Sequence, residues 1–431
     1  MHERTRRIFC RAGFVLFCLL PTSVVSSLVI YRHTDRHAQA MREHWQAALA
    51  TVLQADVSIG TVRQPNYRYV VLDDVQVQQL ETGDLVAAAG ALEVAHTDAG
   101  LVVLAHHLEV VDEKLPLLVK LIDAGVLQRA SPGAPSFRMA ASSLTIHGGT
   151  TGQTFANLRI QLQSAAGGPS LLLSAHAPDR PEESIRIMAS RNRQVSPPLT
   201  RWELSTGEAS VPCQLFARAL PALNRLGTSC RFQGLAWLDA SDQPQGGVQG
   251  RLTEVDLQQS FHDFPHTLQG HAELVLQEAV LDGGRLVAAA GSLHARQGST
   301  SASLLLAAEQ TLGLTLNERV PRDASSILRF QHLAFAFHID ERGLAVAGSS
   351  DPRFPGLVMS DEKGPLLSRT PGSAETVPVV AFVRMLAPDS AIQVPASRQT
   401  DWLLQALPTP PLQPTRMVEA PAPRTTLRLQ E

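Results

Sequence analysis

The stretch LVAAAGALEV, residues 85–94, returns as LVAAAGSLHA at residues 286–295, 201 positions further along the chain. Extended leftward without gaps, residues 80–94 and 281–295 agree at 9 of 15 positions. Small-residue composition raises the rate of chance matches, yet agreement of this length marks an internal repeat. Its shared core carries no charge and no catalytic side chain, so the unit is architectural. Read as a strand, it turns Leu85, Ala87 and Ala89 to one face and Val86 and Ala88 to the other, with Leu286, Ala288 and Ala290 repeating the first set. Gly83-Asp84 and Gly283-Gly284 then stand at hairpin turns, and Leu85 and Leu286 open the returning strands.

Period-two alternation continues outward from both copies. Leu144 and Ile146, then Leu158, Ile160 and Leu162, then Leu333, Phe335, Phe337 and Ile339 alternate with polar or small residues. HGGTTG (147–152), AAGGP (165–169), QPQGG (243–247) and DERG (340–343) punctuate the runs as turns. Helical spacing interrupts at residues 115–127, at 214–227, where Leu215, Ala219, Leu223 and Leu226 align before Gly227, and at 300–314. Strand pairs with occasional helices and no regular βαβ alternation predict a mainly β, antiparallel body with short α-helices, with a groove-like sheet as one form of it. A chain of 431 residues exceeds one ordinary core, and with aromatics at only 5% the interior must be built from Ala, Leu and Val, which suits thin layers.

The N-terminus reads most directly. Arg4, Arg6, Arg7 and Arg11 precede a run from Ala12 to Tyr31 whose only ionisable groups are Cys18 and Tyr31. At about 1.5 Å per residue such a run just spans a hydrocarbon core of roughly 30 Å. The basic flank places the N-terminus in the cytoplasm and the body on the far side. A cleaved signal peptide and a twin-arginine export signal (TRRIFCR, 5–11) are the competing readings, and all three export the rest of the chain. Met41, Trp45, Ala48, Leu49 and Val52 then form one stripe of an amphipathic neck. From Leu407 onward six prolines and no apolar pattern predict an extended or disordered tail. The expected organisation is a signal anchor (1–33), a neck helix (34–55), a first β-rich module (56–230), a second (231–406) and the Pro-rich tail (407–431).

The order of anchor, neck, LATVLQADVSIGTV (49–62), VVLDDVQVQQLETGDLVAAAGALEV (70–94) and GHAELVLQEAVLDGGRLVAAAGSLHA (270–295) resembles the AsmA-like proteins of Gram-negative envelopes, a group related to TamB and to repeating β-groove lipid-transfer proteins. The resemblance implies a periplasmic β-groove tethered to the inner membrane, with a role in lipid transport or envelope assembly, and it supplies no catalytic residues.

Site chemistry is sparse. A net charge of −3 without a basic stripe excludes nucleic acid as the expected partner. His106-His107 and the set His262, His266 and His271 are the best metal candidates, but Pro265 breaks the helix that an i, i+4 pair needs and no Cys, Asp or Glu stands at a zinc spacing. No metal or other cofactor is therefore expected. There is no G-x-S-x-G, Ser349 and Ser350 lie in a Gly-rich turn without an identifiable base, and AAAG lacks the features of a phosphate loop. Cys213 and Cys230 are either a disulfide of an oxidising compartment or two separate thiols: a continuous helix from 215 to 226 would hold its ends about 16 Å apart and favours separate thiols, and only a break at Pro221 would let them meet.

The expectation is a non-enzymatic, single-pass inner-membrane protein with its body in the periplasm. Leu85, Ala87, Ala89, Leu286, Ala288 and Ala290 are its lipid-facing candidates. The inner membrane and phospholipid acyl chains are the expected partners, the latter sheltered by burial at roughly 25 cal/mol per Å². A structural module binding other envelope proteins is the alternative, and a divergent envelope hydrolase a third reading.

Overall fold

The computed structural model describes residues 13–387 and 407–408, except 33, 67, 99, 131–135, 149–151, 166, 178–179, 218–219, 242, 284, 349–354 and 371–375. The first part of the sheet comprises β1 (Asp56–Asn66), β2 (Tyr69–Gln78), β3 (Leu85–Thr97), β4 (Gly100–Val111), β5 (Ser136–His147), β6 (Gln153–Ala165), β7 (Gly168–Ala177), β8 (Arg180–Asn192), β9 (Leu199–Ser205) and β10 (Val211–Pro212). It continues with β11 (Arg231–Ala240), β12 (Gln245–Asp256), β13 (Leu268–Asp282), β14 (Arg285–Ser301), β15 (Thr315–Leu316), β16 (Ile327–Asp340), β17 (Gly343–Gly348), β18 (Leu357–Asp361) and β19 (Gly364–Ser368). From β1 to β9 each strand pairs with the next, β9 pairs with β11, and the order then runs β11, β12, β13, β14, β16. The expected division at 230/231 therefore falls inside one hydrogen-bonded sheet.

One pair departs from the antiparallel rule: β4 and β5 run parallel. A parallel step needs a crossover rather than a hairpin. It is supplied by the helix Leu115–Leu121, with Pro116 in its first turn, and a π turn at Ile122–Leu127. The helix predicted at 115–127 is thus present, with its last part wound as π.

Both copies of the repeat are strands, and both carry a bulge at the valine. Gln78 pairs with Leu85 and Val77 with Ala87, while Leu281 pairs with Leu286 and Val280 with Ala288, leaving Val86 and Val287 as the extra residues. A bulge turns the following side chains over. Leu85 consequently does not share a face with Ala87 and Ala89, nor Leu286 with Ala288 and Ala290, which corrects the simple alternation. The pleat changes again further along: Asp74 in β2 and Asn157 in β6 are left-handed, with φ of 52° and 51°. Near that line the buried set steps from Ala141 to Ile146 in β5 and from Ala105 to Val110 in β4.

The neck helix, Asp35–Leu53, packs on the core of β1 to β4 through Trp45, Leu49, Ala50 and Leu53. Its predicted stripe is rotated slightly, for Ala48 and Val52 face solvent. Before it, the apolar run forms a π turn at Val15–Leu19 and a helix at Leu20–Arg32. Pro21 removes the amide that would bond the Phe17 carbonyl, and the Thr22 hydroxyl instead donates to the Cys18 carbonyl at 2.6 Å, which accounts for the π turn at this place. No helix among the described residues is long and apolar enough to cross a membrane. At the other end, helices Ala302–Leu312 and Val379–Leu386 pack on β14 and β17. Leu407 also packs against this core and Pro408 is buried, so the predicted tail begins in contact with the body, while its residues 409–431 lie outside the described set.

Cys213 and Cys230 form a disulfide, with Cα atoms 5.5 Å apart. Of the two alternatives the disulfide is the one formed, because the helix is not continuous: a short turn at Gln214–Ala217 is followed by a 3-10 turn at Pro221–Leu226. Converting both cysteines to serine is expected to lower the unfolding free energy by about 3 kcal/mol, read from urea melts of oxidised wild type and variant. An unchanged midpoint would show that the bond constrains nothing.

Candidate functional site, an apolar seam across the sheet

Following cross-strand partners from β2 gives one continuous row. Val70 pairs with Val94, Val94 with Val103, Val103 with Met139 and Met139 with Ile160. From Ile160 the row passes to Leu173, Ile187, Leu204 and Ala236. It then crosses Val248, Ala279, Ala289, Ile339 and Leu344. Fourteen strands contribute one residue each, and every one is apolar. With strands about 4.8 Å apart, the row is roughly 60 Å long measured along the sheet.

A second row lies two residues away on the same face. It runs Leu101, Phe137, Leu162, Leu171, Ala189 and Trp202, then Leu238, Gly246, Leu281 and Leu286. Leu286 joins it because the bulge at Val287 brings Leu286 onto the face of Ala289. The row between the two, on the opposite face, is mixed: Arg138, Gln161, Leu172, Met188, Glu203 and Trp237 are successive partners. Two of the charged side chains on that face are paired. The Arg201 guanidinium donates from Nε and Nη2 to the Asp239 carboxylate at 2.7 and 2.9 Å and lies 4.5 Å from the Trp237 ring centre. Donating to the Asp239 carboxylate holds the Arg201 pKa above its ordinary value.

The seam is not equally covered along its length. Toward its ends Val94 is 4% and Ala289 5% exposed, whereas Met139, Ile160, Leu173, Ile187, Leu204, Ala236 and Val248 are half-buried, all but Ile187 packing against the main core. The π turn of the crossover lies over the second row and reaches the first at Ile160: Leu127 is 0% exposed and packs with Leu171 and Ala189, and Ile122, Ile160, Leu162 and Trp202 complete the cluster. Polar contacts outside the seam pin it there. Thr200 Oγ1 donates to Asp123 Oδ1 at 2.7 Å, and Arg191 Nη1 donates to Thr200 Oγ1 at 2.8 Å. Arg193 Nη2 donates to the carbonyls of Leu127, Gln128 and Ala130 at 3.2, 3.0 and 2.6 Å, satisfying the end of the turn. The Trp202 indole Nε1–H is buried without a hydrogen-bond partner.

The six residues singled out from the repeat divide between the faces. Ala87 and Ala89 belong to inward rows with Val57 and Val77, and with Ile59 and Val75, near the neck helix. Leu286 is on the second row of the seam. Leu85 is 39% exposed opposite Gln78, Ala288 pairs with Val280 in register with the mixed row of the opposite face, and Ala290 lies between Glu278 and His338. The middle of the seam was missed because it arises from register across fourteen strands, which no single stretch of sequence reports.

The remaining candidates scatter. His107 Nδ1 lies 2.6 Å from Ser143 Oγ, and Glu109 sits 3.3 Å from His107 and 3.5 Å from His147. His266 is bonded at both nitrogens, to Ser303 Oγ at 3.0 Å and the Met385 carbonyl at 2.8 Å, while His262 and His271 are exposed. Among the described residues no three His, Cys, Asp or Glu are grouped to hold a metal. Ser349 and Ser350 lie outside the described residues. No family model, curated protein or solved structure matches the chain. The AsmA-like resemblance thus stands on the quoted residues alone.

Proposed function

We propose that this protein is a membrane-anchored, AsmA-like envelope protein whose sheet body, in the periplasm, shelters lipid acyl chains on its apolar seam and so serves lipid transport or envelope assembly. The carrying observation is the half-buried middle of the seam, where seven successive strands offer only apolar side chains. A surface of this kind favours methylene groups at roughly 0.8 kcal/mol each and has no use for a specific polar partner. Two further features support the reading. Phe14, Val15, Leu16, Phe17, Leu19, Leu20, Val24 and Val25 are all exposed on the N-terminal helical segments, and an apolar surface this continuous calls for a bilayer around it. The disulfide suits an oxidising compartment beyond the cytoplasm. The packed ends of the seam favour a second reading, a non-enzymatic assembly module that holds other envelope proteins.

The test places a photo-crosslinking amino acid at Ile187, which faces the seam, and at Met188, which faces away, in the full-length chain expressed in a Gram-negative host. Phospholipid is expected on the first and not on the second. Equal capture at both, or none at either, would turn the assignment to the assembly module.

A further inference from the structure

We infer that the outer face of the sheet, opposite the seam, carries a docking strip for an acidic, partly apolar segment of another protein. The strip is a different surface from the seam and stands whether or not the seam holds acyl chains. Two adjacent rows build it. The first runs from Arg138 to Trp237, and in it Leu172 and Met188 are direct cross-strand partners, 39% and 38% exposed. The second lies two residues away along each strand. In it Leu104 pairs with Ala140, Ala140 with Arg159, Arg159 with Ser174, Ser174 with Arg186, Arg186 with Ser205 and Ser205 with Leu235. Leu104 and Leu235 stand at its ends, 46% and 53% exposed. From β4 to β11 the strip crosses seven strands, and six steps of about 4.8 Å make it roughly 29 Å long, the span of about nine residues of extended chain.

Charge selects the partner. Arg138, Arg159 and Arg186 are exposed, and among the described residues none of the three is ion-paired. Arg186 donates from Nε to the neutral Ser184 Oγ at 3.3 Å. Arg201 is already held by Asp239, and between β4 and β11 the two rows contain one carboxylate, the half-buried Glu203. The strip is therefore positive on a chain whose net charge is −3. Like charge opposes laying this face on the same face of a second copy. On a flat sheet the leucine and methionine side chains are shorter than the arginines between them, which keeps them at headgroup level rather than in hydrocarbon. A segment carrying both carboxylates and apolar side chains meets both demands. Its carboxylates accept from the three guanidinium groups, and its apolar side chains cover Leu172, Met188 and Leu235.

The test titrates full-length protein, in nanodiscs of phosphatidylcholine, with a fluorescent synthetic peptide of alternating glutamate and leucine and with its glutamine–leucine and lysine–leucine counterparts, read by anisotropy at low and high salt. Only the acidic peptide is expected to bind, more weakly at high salt. The triple variant Arg138→Gln, Arg159→Gln, Arg186→Gln should raise its Kd by about tenfold, while lysine at the same three positions should keep most of the affinity. Leu172→Glu, which leaves all three arginines in place, should weaken binding to a similar degree. No binding by wild type, equal binding of the lysine peptide, or an unchanged Kd in the glutamine and Leu172→Glu variants would overturn the inference. Capture of wild type, but not of the glutamine variant, by phosphatidylglycerol vesicles without peptide binding would also overturn it, assigning the strip to an anionic membrane. Crosslinking at Ile187 on the seam reads the acyl reading separately from all of these results.

Discussion

Valine in place of Gly291 is expected to destabilise the fold by about 3–4 kcal/mol, whereas valine in place of Gly90, the equivalent residue of the other repeat copy, should leave stability unchanged or slightly raised. A Cβ at Gly291 would come within 2.2 Å of the Val275 carbonyl oxygen and 3.2 Å of the Phe337 ring, so backbone of β13 must give way. At Gly90 the same atom meets nothing within 4 Å, and replacing a strand glycine there removes freedom mainly from the unfolded chain. Urea melts of the two single variants decide the matter. Equal losses would mean that the two copies are packed alike, contrary to the burial of Ala289 and Gly291 in one and of Val86 and Ala89 in the other.

That asymmetry explains how much of the fold was legible. The strand, the hairpin before it and the switch from helical to alternating period are local properties, and the sequence carries them in Leu, Val, Gly and Asp at short spacing. The facing of LVAAAG is not local. A run of alanines presents nearly the same surface on both sides, so its register is weakly specified by its own residues and is set by neighbours. In the first copy Val77 and Val57 draw Ala87 inward; in the second, Ala279 and Ile339 flank Ala289, with Val248 beyond Ala279, and draw that residue inward instead. The valine bulge recurs in both, yet Val86 is 0% exposed and Val287 39%. Candidate residues chosen by alternation alone therefore had to divide between the faces, and Leu286 reached the seam only through the bulge. The disulfide was hidden for a related reason: helical spacing across residues 214–227 is real, but Pro221 ends the helix, and where it restarts as a 3-10 turn is a matter of packing. The parallel β4–β5 step escaped notice because one crossover leaves no periodic mark.

Leu127→Ala is expected to release the crossover from the sheet at a local cost of about 4 kcal/mol while the strands beneath stay folded. Leu127 is fully buried, but its cluster is small: Leu171 and Ala189 are its buried partners, apart from the main core. Cutting its side chain back leaves a void between the π turn and the sheet. The remaining tethers are polar, from Arg191, Arg193 and Thr200, together with the close approach of Gly125 to the neck helix, where an added Cβ would lie 2.2 Å from the Val52 carbonyl oxygen. Opening of such a satellite is a sub-global event, set by its own contacts rather than by those of the whole sheet. Amide exchange should therefore quicken by about a thousandfold through residues 115–130, since each 1.4 kcal/mol is tenfold, with little change in β6 to β9. If exchange rises equally in the sheet, Leu127 is part of the global core and the crossover does not form a separate cover over the second row of the seam.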